Sequence, residues 1–164
     1  PHLIWGPGDN HLVPGIIKRA GKLKIVGRTD DLVDTIFVDN AAQAHVLASE
    51  KLAENPHLSG NIYFISQDDP ISKWKMANAF LDAAGLPPIK GHISAKKAYI
   101  AGYLFEKIYN SMPGIHQKEP PMTRFVAKEL ATSHWFNISR AKQDLGYYPE
   151  VSTKEGLERL RADF

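Results

Sequence analysis

Leu32-Val33-Asp34-Thr35-Ile36-Phe37-Val38-Asp39-Asn40-Ala41-Ala42-Gln43-Ala44-His45 holds the change of pattern that decides the fold class. Up to Val38 the residues are mostly β-branched or aromatic, which suits a buried, pleated strand. From Ala41 the chain turns alanine-rich as far as Leu52. Asn40 with Gln43 three residues later suits a helix start in which two side chains satisfy orphan backbone donors reciprocally. The stretch predicts a strand over 32–38 running into a helix over 41–52.

The same alternation continues on both sides. Upstream, His2 to Trp5 reads as a buried strand ended by Gly6-Pro7-Gly8, and Leu12, Val13, Ile16 and Ile17 recur at helical spacing. Leu23 to Val26 reads as a strand, followed by a polar turn over Gly27 to Asp31. Downstream, Asn61 to Ile65 predicts a strand, and a helix begins after Ser72 and stops at Gly85 before Pro87 and Pro88. Lys96 to Met112 is expected to be the longest helix, with Pro113 to Pro121 as a connector. A helix over 123–131, a strand over 134–138, a helix over 139–145 ending at Gly146 and a last helix opened by Ser152 and Glu155 complete the reading. Strands alternate with helices throughout and no internal repeat is present, so the fold class is α/β.

Composition narrows the function classes. At 164 residues, 43% hydrophobic and 23% charged, the chain has the ordinary globular mix and the length of one domain to one and a half. Lysine and arginine number 20 against 18 acidic residues, and the scattered net charge of +2 gives no field for nucleic acid. The absence of cysteine excludes disulfides, thiol nucleophiles and cysteine metal sites. No apolar run reaches the roughly 18–20 residues of a membrane span, and a cytoplasmic location is the expectation.

Chemistry-bearing motifs are sparse. A dinucleotide loop needs G-x-G-x-x-G so that the backbone can approach a pyrophosphate; Gly6-Pro7-Gly8 supplies only the first two glycines, and His11 stands at the third position. Gly-x-Ser-x-Gly is absent, and the seven histidines form no H-x-x-x-H, so no metal site is expected. Tyr103 and Lys107 form a Y-x-x-x-K pair on one helix face, where a lysine can lower a tyrosine pKa, but common helix residues in an aromatic segment explain the pair more cheaply. Asp30 and Asp31 read as a solvated turn, and Asp39 as a helix N-terminus.

Four segments carry a resemblance: Pro1-His2-Leu3-Ile4-Trp5-Gly6-Pro7-Gly8-Asp9; Val33 to His45; Gly60-Asn61-Ile62-Tyr63-Phe64-Ile65-Ser66 with Asp68-Asp69-Pro70; and Asp144-Leu145-Gly146-Tyr147. In order and spacing they resemble the C-terminal half of an extended short-chain dehydrogenase/reductase of the 3β-hydroxysteroid dehydrogenase-like branch, within the NAD-dependent epimerase/dehydratase superfamily. The resemblance covers nearly the whole chain. It implies a Rossmann-type fold in which residues 1–9 and 36–70 complete the sheet, residues 10–35 and 71–164 form a small α/β substrate-binding lobe, and the N-terminal cofactor-binding half is absent. The family's phosphate loop and catalytic Ser/Thr, Tyr and Lys then lie upstream of Pro1. No catalytic residue is assigned to this chain, Tyr103 and Lys107 are not the family's pair, and the chain alone is expected to be inactive.

The resemblance also implies site residues. Pro1 matches a proline that borders the nicotinamide, which makes Pro1, Leu3 and Ile4 the candidates for contact with NAD or NADP. Trp5, Pro7 and His11 are expected to line the loop facing the substrate. Nucleotide-sugar epimerases carry Arg-Asp-Phe where this chain has Val33-Asp34-Thr35, and valine cannot make arginine's bidentate phosphate contact. The implied substrate is therefore an uncharged, apolar one, sterol-like or long-chain acyl, whose secondary alcohol or ketone exchanges a hydride with the cofactor. A nucleotide-sugar epimerase or dehydratase fragment and a non-catalytic lipid- or partner-binding module are the alternatives. Tyr99 to Tyr109 fits a pocket wall or a peripheral membrane contact. A missing half sheet would leave exposed edge, so dimerisation or aggregation of the isolated chain is expected.

Overall fold

The computed structural model describes residues 1–111 and 120–164, so Met112 and most of the expected connector lie outside the described residues. Strand β1 (Ile4–Trp5) pairs in parallel with β4 (Ile36–Phe37), Ile4 opposite Ile36. β2 (Lys24–Val26) pairs in parallel with β6 (Gly91–Ile93), and β3 (Leu32–Val33) pairs antiparallel with β5 (Ile71–Ser72). Between and after them run helices α1 (Leu12–Ile17), α2 (Val38–Glu54), α3 (Lys73–Ala83), α4 (Ala95–Ser111), α5 (Arg124–Leu130), α6 (Ser139–Leu145) and α7 (Thr153–Arg161). Among the described residues no helix is long and apolar enough to cross a membrane.

The helix signals hold where they are local. Ser72, Thr123 and Ser152 each accept a hydrogen bond from the backbone N–H three residues on, which starts α3, α5 and α7. Gly146 ends α6 with φ 67°, a left-handed backbone that glycine adopts without steric cost. α4 has 17 residues up to Ser111, as many as α2, and the expected end of this helix at Met112 lies outside the described residues.

Five expectations are corrected. The strand over 32–38 splits into β3 and β4, which pair with different partners, because the Asp34 side chain turns inward to accept from the Ser66 hydroxyl at 2.7 Å. α2 begins at Val38, not beyond Asn40, and its N-cap Phe37 makes no side-chain cap. The segment over 61–65 forms no strand ladder among the described residues; Ile62 and Phe64 face outward and exposed while Ile65 is buried. The strand over 134–138 shrinks to one bridge between Val33 and His134. Asp30 does sit on a solvated turn, paired with Arg28 at 2.6 Å, whereas Asp31 is buried.

Asn40 does different work from a cap. It is buried, its side-chain amide donates to Gln67 Oε1 at 3.1 Å and to the Val151 carbonyl at 2.8 Å, and its Oδ1 accepts from the backbone N–H groups of Glu150 and Val151. One side chain thus fastens the start of α2 to two distant segments. Gln43 adds a bond to Glu150 at 2.6 Å instead of reaching back along its own helix.

Three apolar clusters fill the interior. Trp5, Phe37, Met76, Phe80 and Leu160 bring α1, α3 and α7 onto the β1–β4 pair. Gly156 makes that approach close: a Cβ there would stand 2.8 Å from Trp5 and from Phe37 ring carbons. Ile36, Ala41, Ala44, Ile138, Leu145 and Tyr147 join α2 to α6, and Val26, Trp74, Ala98 and Ala127 hold α4 and α5 against β2.

Burial pushes the Asp34 carboxyl above the usual carboxylate range, with Asp68 and Asp69 adding repulsion against the pull of the Ser66 hydrogen bond. The folded protein favours the protonated form, so this group's stabilising contribution is complete below the ordinary carboxylate pKa of about 4 and is lost as pH rises through the folded value. Asp34→Asn lacks that loss. Its stability relative to the parent, from urea midpoints across pH, is expected to improve as pH rises; a difference constant with pH contradicts this account.

Candidate functional site

Two cavities meet at Leu3, the residue that leads into β1. The smaller, of about 450 Å³, is lined by Leu3, Ile4, Trp5, Gly6 to Leu12 and Val38. The larger, of about 640 Å³, runs between β2, β3, α3 and the end of α5. Leu3 itself has φ 47°, a left-handed backbone that is uncommon for an L residue with a side chain; its carbonyl accepts from the Ile36 N–H. Strain of this kind persists only where the surroundings fix it, and here it lies at the junction of the cavities.

Most of the residues expected from sequence gather at the smaller cleft. Leu3 and Ile4 stand on its rim, 39% and 42% exposed, while Pro7 and His11 are exposed along its wall. Trp5 forms part of the lining but is wholly buried, its indole N–H donating to Thr35 Oγ1 at 2.9 Å; it is a core residue first. Pro1 is exposed and lines neither cavity. Leu3 and Ile4 present half-exposed apolar side chains at the start of β1. Nothing among the described residues offers a glycine-rich phosphate cradle.

Apart from Leu3 and Val33, the larger cavity is built by residues that sequence reading did not single out for a site. Its walls are mainly apolar, with Leu12, Ile16, Val26, Trp74, Met76 and Phe80 prominent, and Val33 in the β3 wall. A residue facing a cavity and one facing a packed core have the same periodicity, so the apolar face of α3 could not announce it. At one end Lys73 donates to the Glu129 carbonyl and, at 2.9 Å, to the Thr132 carbonyl, at the C-terminal end of α5. Burial holds the Lys73 ammonium below the usual lysine range. His134 lies nearby, 3.6 Å from the Glu129 carboxylate, and its pKa is lowered by burial and by the charge of Lys73. A neutral imidazole at neutral pH follows.

Tyr103 and Lys107 sit apart from both cavities. The lysine lies over the tyrosine ring at 5.8 Å, Arg124 lies near the same ring at 5.5 Å, and Tyr103 is exposed. The pair is a surface contact on α4. Among the described residues no group of histidines and carboxylates is arranged to hold a metal.

The model of the 3-beta hydroxysteroid dehydrogenase/isomerase family matches residues 1–93, more than half of the chain. The chain belongs to that family. A 2-alkyl-3-oxoalkanoate reductase from Shewanella oneidensis is 52% identical over 99% of this chain and 42% of its own length. A decarboxylating sterol-4-alpha-carboxylate 3-dehydrogenase from Mus musculus is 33% identical over 100% of this chain and 46% of its own length. The chain thus spans less than half the length of these relatives. Among solved structures, the UDP-glucuronic acid 4-epimerase from Bacillus cereus in complex with NAD superposes with a TM-score of 0.61 at 17% identity, over 98% of this chain and 42% of that one. At that identity the likeness concerns the fold, the α/β architecture of Rossmann-type reductases and epimerases with their parallel strands. Within this 3-beta hydroxysteroid dehydrogenase/isomerase family member, the sheet-bearing residues 1–93 include every sequence-expected site residue.

Proposed function

We propose that the whole protein is an NAD- or NADP-dependent oxidoreductase acting on a ketone or secondary alcohol of a substrate with a large apolar body. This chain supplies the substrate cavity and the nicotinamide-side edge. The observation that carries the reading is the 640 Å³, mainly apolar cavity that opens beside Leu3 and has valine, not arginine, at position 33 of its β3 wall. The reductase and sterol dehydrogenase relatives support the same class of chemistry by name. The cofactor, when bound, gives or takes the hydride. Leu3 and Ile4 would border its ring, the apolar walls of α3 and β2 would hold the substrate's body and exclude water, and Pro7 and His11 would flank the entrance. In this reading residues 1–9 and 36–70 serve the sheet, and the remainder serves the substrate.

The test is turnover by the full-length protein, followed by nicotinamide absorbance with a long-chain 2-alkyl-3-oxoacid and a 3-oxosterol, and by chromatography of the products with a UDP-sugar. Reduction of either of the first two is expected, and conversion of the UDP-sugar alone overturns the reading. Ala77 lines the cavity between Trp74 and Phe80. Ala77→Phe is expected to lower kcat/KM for a long-chain substrate by about ten-fold or more, with a short-chain analogue less affected. Equal loss on both chain lengths would point to general damage instead. The isolated 164-residue chain is expected to give no turnover.

A further inference from the structure

The net charge of +2 is small for the whole chain, but the fold gathers cations in one place. Residues 10–29 hold Lys18, Arg19, Lys22, Lys24 and Arg28 with no acidic residue, and residues 83–105 hold Lys90, Lys96 and Lys97, again with none. The parallel β2–β6 pair joins the two stretches, setting Lys24 opposite Gly91, the neighbour of Lys90. β6 has three residues and α4 starts two positions after it, so Lys90 lies within about 20 Å of Lys96 and Lys97. All these cations are exposed, and Arg28 alone among them has an ion-pair partner among the described residues. The outward face of α4 then turns apolar. Ala98 and Gly102 point inward, and a Cβ on Gly102 would stand 2.6 Å from the Thr123 carbonyl carbon, so the segment leading into α5 closes that side. Opposite it Ile100, Leu104 and Ile108 recur at every fourth residue, 47%, 53% and 47% exposed. Lys96, Lys97 and Lys107 stand on the same outward side, and the exposed rings of Tyr99 and Tyr103 flank it. A helix that merely covers a core turns its apolar stripe inward; this one also shows an apolar stripe edged by lysines to the outside.

We propose that α4 and the neighbouring β2–β6 edge dock on the surface of a lipid bilayer that carries anionic headgroups. Such a surface meets both halves of the pattern. Its phosphates attract the lysines, while Ile100, Leu104 and Ile108 enter the boundary between headgroups and acyl chains, the level at which tyrosine rings also settle. Nucleic acid would answer the charge and leave the apolar stripe against phosphate and water. A second copy would cover the stripe and set the lysines of one copy near those of the other. The contact needs no membrane-crossing helix, since α4 lies along the surface. Arg19, Lys22 and Lys24 belong both to this basic edge and to the rim of the larger cavity, so docking brings the mouth of that cavity to the headgroup layer. On the reading of the cavity as the substrate's, an apolar molecule would pass from bilayer to cavity with little contact with water.

The experiment is flotation of the full-length protein with two kinds of vesicle, phosphatidylcholine alone and phosphatidylcholine with about one third phosphatidylglycerol. At about 0.1 M salt the parent is expected to bind the anionic vesicles about ten-fold or more tightly than the neutral ones, and to lose most of that preference at about 1 M. Lys96→Glu combined with Lys97→Glu should weaken binding to the anionic vesicles by about ten-fold or more. Ile100→Ser combined with Leu104→Ser should weaken it by about five-fold or more, through the lost apolar contact. The replaced side chains are exposed, so thermal midpoints close to the parent's are expected; where a pair lowers the midpoint, Lys97→Glu or Leu104→Ser alone takes its place. The proposal is overturned if the parent floats with neither vesicle or equally with both, or if the variants bind like the parent. It is also overturned if only the lysine changes matter, the pattern of a purely ionic contact such as an acidic protein or nucleic acid makes. None of the replaced side chains lines either cavity, so reduction of a ketone in solution tests the reaction proposed above separately.

Discussion

Asn40→Leu is expected to cost about 2–4 kcal/mol of stability, because leucine leaves the buried N–H of Val151 and the part-buried N–H of Glu150 without an acceptor. Each orphaned buried donor costs about 1–3 kcal/mol, and the apolar replacement recovers only part. The other two partners are less exposed to the loss. Gln67 Oε1 still accepts from the Phe37 N–H, and the Val151 carbonyl still accepts from Gln67 Nε2. Asn40→Asp separates the two halves of the effect. It retains acceptors for both N–H groups but sets a carboxylate against the Gln67 and Val151 oxygens, so its deficit should grow as pH rises above about 4. Urea unfolding at unchanged slope measures both variants. A loss below 1 kcal/mol for leucine would mean that water reaches the site or that the tail lets go readily.

Trp5→Ala is expected to cost about 3–5 kcal/mol, the usual range for emptying a buried aromatic site. Trp5 is completely buried, its ring meets Phe37 and Phe80 edge-on with centroids 5.2 Å away in each case, and its N–H satisfies Thr35. Against a typical total of about 5–15 kcal/mol, that loss removes much of the fold. Trp5→Phe keeps an aromatic ring and gives up the hydrogen bond and some volume, so about 1–2 kcal/mol is expected. Chemical denaturation midpoints decide the matter. If alanine and phenylalanine cost the same, the cavity term is small and the hydrogen bond carries the effect.

How much of this was legible follows from how far each interaction reaches. Ser72, Thr123, Ser152 and Gly146 act within four residues, so their patterns alone give the starts of α3, α5 and α7 and the end of α6. Asn40 and Gln43 have the spacing of a reciprocal cap, yet their partners lie 111 and 107 residues away, a choice that no local pattern records. The split of 32–38 has the same origin, since the competing partner of Asp34 is Ser66. The outward Ile62 and Phe64 explain why 61–65 looked like a strand: both faces are apolar, as in a strand buried on two sides, but this chain covers only one. Of the site, the segment from Leu3 to His11 was legible because it is contiguous. Lys73 and His134 were not, because only the packing of α3 against the end of α5 brings them to one cavity.

The closure of the Trp5 cluster by α7 has a consequence for the chain while it is being made. Synthesis delivers β1 and β4 before Gly156, Leu160 and the backbone of Glu150 and Val151, which follow more than a hundred residues later. Until then the ring faces of Trp5 and Phe37 stay wet on the side that α7 covers, and the first turn of α2 lacks its partners. A ribosome paused before residue 150 therefore holds a nascent chain with aromatic surface on display, the kind of surface that general chaperones grip. Elongation speed between β4 and α7 sets how long that interval lasts.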